Sequence, residues 1–575
     1  MLKVWPLFVI AIILTLLSNQ LALMGPRFSG QAIDAISAAN GVDFEEVKSN
    51  IVKMIICYAL SAVLSLILSI IMINISQKIV GRMRTELFEK LIRLPIGFFD
   101  ATSVGDIVSR MSYDIDTVNT SISHDVVQVM TSIYTVIGSL IFMWNISRSL
   151  IIVFVVTVPV SIIFTRYRSK KVRPLFKLRS KMLGELNGYA EEMLSGCRTI
   201  QCYNRQKQIC KNFDNRNEEA MKAYYNSEYY ASAMGPTVNL INNLSISFIM
   251  ILGGILYMYS SAGVFKTGSL FFISLGGIAQ FVQYSRKFAG PINEFANIIH
   301  EFQSAFSAAE RVFKIIDEEP EKVDDADAKD LVAVKGNVSF FNVGFGYTND
   351  KKILENLSIT ADKGKTIAIV GPTGAGKTTI INLLMRFYDV NAGNIFIDGI
   401  ATDKIKRKDL RKAFIMVLQD TWLFNGTVFE NIAYGKEDAT IDEVIKAAKA
   451  AKIHTFIEHL PLGYDTVLSD DGVNISKGQK QLITIARAIL SNAPMLILDE
   501  ATSNVDSRTE IQIQEALHSL MKDRTCFIIA HRLSTIKNAD SIIVLQDGKI
   551  SEQGNHAELI RANGFYSKLY NSQFN

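Results

Sequence analysis

The sequence predicts a multidomain chain: an all-α domain of six transmembrane helices, then an α/β domain with a parallel sheet at its core. Three observations carry that prediction. At roughly 100–200 residues per domain, 575 residues exceed what one domain holds. The composition is 49% hydrophobic and only 20% charged, with a mean hydropathy of +0.21, too apolar for an ordinary soluble enzyme. The apolar residues gather in the first half, whereas short β-branched runs alternating with helical patterns fill the second. A net charge of only +4 gives no starting point for nucleic-acid binding. The cysteines Cys57, Cys197, Cys202, Cys210 and Cys526 form no CxxC pair, so they read as reduced thiols rather than a zinc or disulfide framework.

Six stretches approach the ~20 apolar residues that a bilayer crossing requires. They are 5–24, 51–75, 126–144, 150–165, 240–260 and 269–284, of which the fourth and sixth are short. The first is longer than the apolar core of a secretory signal and no small-residue cleavage site follows it, so it is read as a span. Basic residues collect between spans two and three (Lys78 to Arg110) and between four and five (Arg166 to Lys181). Asp34, Asp43, Glu45 and Glu46 lie between spans one and two. The bias puts both long connections and both termini in the cytoplasm of a multi-pass protein of the cytoplasmic membrane. Those connections run roughly 50–70 residues, far more than a turn needs, and read as helices continuing beyond the bilayer. Asn19, Gln20, Asn242, Asn243, Gln280 and Gln283 sit in or near spans and either face a central cavity or hydrogen-bond helix to helix. No span holds a clear buried acid or base, which leaves a proton-coupled mechanism unsupported.

The acidic, proline-containing stretch 317–330 has the character of a solvated linker between a transmembrane domain, 1–316, and a second domain, 331–575. The second domain opens its chemistry with Gly371-Pro372-Thr373-Gly374-Ala375-Gly376-Lys377-Thr378-Thr379, which matches GxxxxGK[ST]. An apolar strand precedes it and a helical run succeeds it. In such a loop the glycines let backbone N–H groups crowd phosphates, and the helix N-terminus adds a favourable field. Lys377 is expected on the β- and γ-phosphates of ATP, and the Thr378 hydroxyl on Mg²⁺. Met495 to Glu500 is a buried-strand run ending in two carboxylates. Asp499 is expected in the metal shell, and Glu500 as the base that polarises the attacking water. A third strand, 526–530, ends in His531.

With Ser476-Lys477-Gly478-Gln479 opening a helix between these motifs, essentially the whole chain resembles the ATP-binding-cassette transporters. The resemblance implies an α/β P-loop (ATP-binding cassette) domain behind the spans and the build of an exporter half-transporter. It also implies roles. Tyr347 would stack on adenine, and Gln419 would join the metal shell to the membrane domain. Ser476, Gly478 and Gln479 would contact the γ-phosphate held by a second half-transporter, and His531 would position that phosphate. The loop tips around 103–112 and 195–205 would rest on the cassettes. Lys477 departs from the family's Leu-Ser-Gly-Gly-Gln, losing glycine's freedom to bring backbone close. That departure, beside an intact Glu500, resembles the consensus-site half of bacterial heterodimeric multidrug exporters; a homodimer that tolerates lysine is the alternative. The function implied is ATP-driven export of a hydrophobic or amphipathic molecule, whether drug-like, lipid or peptide. A homodimeric lipid flippase and a nucleotide-gated channel or sensor stand as alternatives.

Overall fold

A computed structural model describes residues 5–37, 41–265, 270–348, 351–418, 421–468, 475–499, 506–529 and 536–574. The chain divides into two units. One comprises Met1–Ile92 and Val104–Glu318, the other Arg93–Ser103 and Glu319–Asn575.

The first unit is all helical. Its long elements are α1 (Trp5–Ile36) and α2 (Phe44–Ile92). After α3 (Ile96–Ala101), which belongs to the other unit, the chain resumes with α4 (Val104–Ser109), α5 (Ile115–Thr120) and α6 (Val126–Ile146). Then come α7 (Ile151–Ser195), α8 (Cys197–Cys202), α9 (Gln206–Ser232), α10 (Met234–Ser261) and α11 (Leu275–Ile316). Among the described residues, five helical runs are long and apolar enough to cross a membrane: Trp5–Ile36, Phe44–Ile92, Val104–Ile146, Ile151–Ser195 and Gln206–Ser261. The sixth expected span falls on the start of α11, which is not among them; Gln280, Gln283, Arg286 and Lys287 interrupt its apolar run. As expected, the helices continue far past bilayer length: α2 has 49 residues and α7 has 45, against about 20 for a crossing.

Small polar residues bring these helices together. Ser18 of α1 donates to the Ser61 carbonyl of α2 at 3.0 Å, and Ser61 returns a bond to the Ser18 carbonyl at 2.9 Å. Tyr284 of α11 is buried, stacks on Phe142 at 5.0 Å and donates to the Leu23 carbonyl at 2.6 Å. Two π-helical turns, Arg110–Asp114 and Ser121–Asp125, bracket α5. The first carries Asp114, which is buried and takes a two-pronged ion pair from Arg311 of α11, with N–O distances of 2.8 and 2.5 Å. Removing the cation leaves a buried carboxylate behind. Arg311→Ala is therefore expected to lower stability by roughly 3 kcal/mol, with Asp114→Asn costing less because it removes the charge as well. Thermal unfolding in detergent measures this, and equal melting of wild type and Arg311→Ala would contradict it.

The second unit contains two main sheets and a two-stranded ribbon of β7 (Gly426–Thr427) and β8 (Val467–Leu468). One is antiparallel, in the order β2-β1-β4-β5, built from β1 (Val338–Phe345), β2 (Leu354–Ala361), β4 (Ala392–Ile397) and β5 (Ile400–Ala401). The other has β3 (Thr366–Val370), β6 (Phe414–Val417), β9 (Met495–Asp499), β10 (Thr525–Ile529), β11 (Ser541–Gln546) and β12 (Lys549–Gly554), in the order β12-β11-β3-β10-β9-β6. Five of these strands run parallel; β12 is an antiparallel edge. The expected parallel core is present, and the antiparallel sheet beside it is an addition. α12 (Lys377–Leu384) and α13 (Arg407–Lys412) come after β3 and β5. Three short helices, α14 (Val428–Ala433), α15 (Ile441–Ala450) and α16 (His454–Glu458), then lead to α17 (Lys477–Ser491) and α18 (Ser507–Met521).

The acidic stretch is solvent-exposed, as its composition suggests, but it is not free. Glu321 pairs with Arg411, Asp324 with Arg407 at 2.9 Å, Asp325 with Lys404 at 3.0 Å and Asp330 with Lys406 at 2.6 Å. Arg386 and Arg407 are themselves buried, so part of this network is shielded from solvent. The Lys404 ammonium, by hydrogen bond and charge, holds the Asp325 carboxyl below its ordinary range. The stretch is a strap fastened to the second unit.

Candidate functional site

The site is assembled by strand order. In the sheet, Ile369 of β3 sits opposite Ile529 of β10, and Ile529 sits opposite Asp499 of β9. On the far side of β9, Val417 of β6 faces Leu498. Four adjacent parallel strands thus end level with one another. Each end leads into a residue expected in the site: Gly371 after β3, His531 after β10, Glu500 after β9 and Gln419 after β6. Carboxyl ends of parallel strands are where such sheets bind ligands. Gln419, Glu500 and His531 themselves lie outside the described residues.

The phosphate loop runs from β3 into α12. Gly376 is the residue before the helix, with φ of 97°, a left-handed conformation that a side chain resists. A Cβ there would also lie 2.7 Å from Leu354 Cδ2. Pro372, Thr373, Gly374 and Thr378 are exposed or half-buried, whereas Ala375 and Thr379 are buried, so one face of the loop is open to solvent and the other anchors it. Lys377 Nζ donates to the carbonyls of Gly371 at 2.8 Å and Pro372 at 2.9 Å. Its ammonium is thereby held directly above the loop. Burial pushes its pKa below the ordinary lysine range, and the charge of Asp499 opposes that push. The open loop, its cation and the helix N-terminus fit a nucleotide phosphate. The hard oxygen donors Thr378 and Asp499 fit Mg²⁺.

Tyr347, the expected adenine platform, is half exposed. Its hydroxyl shares a 3.2 Å hydrogen bond with Thr379 and accepts one from Asn382 at 3.3 Å, tying it to α12. Its ring also meets Tyr388 edge-on at 5.0 Å, and Tyr388 donates to Asp100 of α3 at 2.5 Å. Burial, then the hydrogen bond to Asp100 and its charge, push the Tyr388 hydroxyl pKa up. The segment of the first long loop that packs within the second unit is therefore Arg93–Ser103, upstream of the expected 103–112. Pro95, which N-caps α3, marks its start and is the signal in the sequence that points to it. The other expected tip coincides with α8, none of whose residues is buried.

Ser476 and Gln479 cap α17 reciprocally: the Ser476 hydroxyl accepts from the Gln479 backbone at 3.2 Å, and Gln479 Oε1 accepts from the Ser476 backbone at 2.9 Å. Gly478 is buried within the first turn. Lys477 is the first helical residue and has no positive φ. Any side chain fits that backbone, so lysine is unstrained there. Its side chain adds an exposed cationic arm at a helix N-terminus.

Of the polar span residues, several serve between helices. Tyr134 donates to Gln20 at 2.6 Å, Asn19 to Thr131 at 3.4 Å and Gln283 to Ser29 at 3.1 Å. Gln280 packs against Gly30. Asn242 and Asn243 line a cleft instead.

Two families match, one across each part: the ABC transporter transmembrane region over residues 8–278, and the ABC transporter over residues 354–503. An uncharacterized ABC transporter ATP-binding protein, YfiC of Bacillus subtilis, is 42% identical over 571 residues, 99% of this chain and 92% of that one. The chain belongs to the ABC transporter family. A fatty acid ABC transporter ATP-binding/permease protein of Mycobacterium bovis is 42% identical over 92% of this chain and 82% of its own length. A bacterial Atm1-family ABC exporter, solved with ATP bound, superimposes with a TM-score of 0.77 at 28% identity, covering 100% of this chain and 99% of that one. The transporter is thus an exporter-type half-transporter, with helical membrane and nucleotide-binding parts fused in one chain, and it couples ATP hydrolysis to transport.

Proposed function

We propose that the transporter exports acyl-chain amphiphiles, of lipid or fatty-acid type, across the cytoplasmic membrane as half of a dimer. The observation that supports this most is 42% identity over nearly the whole chain to a relative named for fatty acid transport. Both termini and the ATPase part, 331–575, face the cytoplasm in this reading, as the basic connections argue.

The mechanism is built from the residues. An arriving nucleotide stacks on Tyr347, and Lys377 exchanges the carbonyls of Gly371 and Pro372 for the β- and γ-phosphates. Thr378, Asp499 and Gln419 would hold Mg²⁺, which would supply charge neutralisation on the phosphates. Ser476, Gly478 and Gln479 of one chain close on the phosphates held by the other. Glu500 then takes the proton of the attacking water, and His531 holds the γ-phosphate beside it. Because α3 joins α2 to α4 in the chain, movement of the adenine platform reaches the membrane helices through the Tyr347–Tyr388 ring contact, the Tyr388–Asp100 hydrogen bond and then the backbone.

The partner in this reading is a different half-transporter. Support comes from Lys477 alone, through the bulk and charge it brings to a surface that a second chain must approach. Phosphate release by the chain purified by itself tests the point. The heterodimer reading expects slow hydrolysis that rises on adding the second half. Fast hydrolysis by the self-paired chain, further stimulated by acyl amphiphiles, would establish the homodimeric flippase instead.

A further inference from the structure

α7 buries one side and leaves a row of cations on the other. Its buried residues, Phe154, Ser161, Val172 and Leu186, are spaced 7, 11 and 14 apart, intervals that keep them on one face of a helix. Arg179, seven residues past Val172, shares that face and pairs with Glu228 of α9 at 3.1 Å, so α9 covers it. Arg166, Lys170, Arg173, Lys177 and Lys181 succeed one another at intervals of 4, 3, 4 and 4, which stacks them along the other side. All five are exposed. Lys181 meets Glu185 at 3.8 Å; among the described residues the other four have no acidic partner. Residues 149–184 contain no Asp or Glu. The row also sits where a bilayer ends. α7 is among the helices long and apolar enough to cross a membrane. Arg166 lies about 22 Å along the axis from Ile151, and Lys177 about 39 Å. The first four cations thus bracket the edge of a ~30 Å hydrocarbon core and the head groups beyond it. Tyr167, exposed and 4.8 Å from the Lys171 ammonium, is a ring of the kind that settles at that level.

We propose that this row binds the head groups of anionic phospholipids side by side at the rim of the bilayer, and so fastens α7 to one leaflet. That the leaflet is the cytoplasmic one rests on the orientation proposed above. Four unpaired cations on one helix face repel one another, and a surface of fixed negative charge relieves the repulsion. Arg166 and Arg173 offer paired N–H donors to a phosphate, while Lys170 and Lys177 act as point charges between them. The face is open and straight, so it holds resident lipid rather than enclosing a cargo molecule.

The test reads lipid composition beside the row in proteoliposomes of the full-length transporter. Ser169, exposed and one turn before Arg173, takes the reporter as Ser169→Trp, and the signal of Trp5, Trp144 and Trp422 is subtracted with the parent chain. Quenching by brominated phosphatidylglycerol is compared with quenching by brominated phosphatidylcholine. The anionic lipid is expected to be favoured at least about tenfold, and Lys170→Gln with Arg173→Gln to lower that preference about tenfold, at roughly three- to fivefold for each cation. Should that pair not fold, as judged by ATP binding, about 0.5 M salt produces the loss with the row intact, because it screens charge beyond a few ångströms. Lys446→Gln with Lys449→Gln removes the same charge from α15 and is expected to change nothing. Phosphatidylglycerol and phosphatidylserine, with one negative charge each, should be favoured alike. Equal quenching by the two brominated lipids overturns the proposal, and so does enrichment of one acidic lipid alone, which would mark a cargo site. Enrichment is read whichever side the connection faces. Protease added to intact cells reads the orientation separately, so a reversed topology would change the leaflet and leave the lipid surface standing.

Discussion

Glu500→Gln is expected to reduce steady-state ATP turnover by about 10²–10⁴-fold, the range that a positioned general base contributes. The substitution keeps shape and hydrogen-bonding capacity but removes the group proposed to take the water's proton. Glu500 comes directly after Asp499, whose carboxylate lies close enough to Lys377 to act on its charge. Nucleotide should therefore still bind, and the dimer should accumulate in an ATP-loaded form. Phosphate release and retention of labelled ATP measure the two consequences separately. Unchanged turnover in this variant would remove Glu500 from the mechanism.

Lys377→Ala is expected to act on the other side of that division. Its ammonium makes two short bonds to loop carbonyls, and an incoming phosphate replaces neutral acceptors by charged ones. At about 1.5–3 kcal/mol for a charged hydrogen bond, affinity for ATP should fall roughly 10–10²-fold. The loop itself should survive, because Gly376 and the buried Ala375 and Thr379 hold its shape independently. Titration with a fluorescent ATP analogue checks this. Equal affinity in wild type and variant would contradict the assignment of Lys377 to the phosphates.

The site is legible wherever chemistry and neighbourhood coincide in the sequence. The phosphate loop, the strand ending in Asp499 and the strand leading to His531 each announce themselves within ten residues. Their order in the sheet makes them neighbours, which only the fold reveals. The strap is hard to read for a related reason. Its acids at 321–330 find their cations at 386–411, so a local count sees charge without a partner. At Lys477 the motif suggests glycine, and the fold shows an unstrained first helical residue with an exposed side chain.

The most direct test of the account is lipid movement in proteoliposomes whose nucleotide-binding parts face the bath. NBD-labelled phosphatidylglycerol and NBD-labelled dodecanoic acid would be tracked by the fraction protected from dithionite. The account predicts protection that grows with ATP for at least one of them, and none with a non-hydrolysable analogue or with Glu500→Gln. ATP hydrolysis with no movement of either molecule, or equal movement in the Glu500→Gln variant, would contradict it.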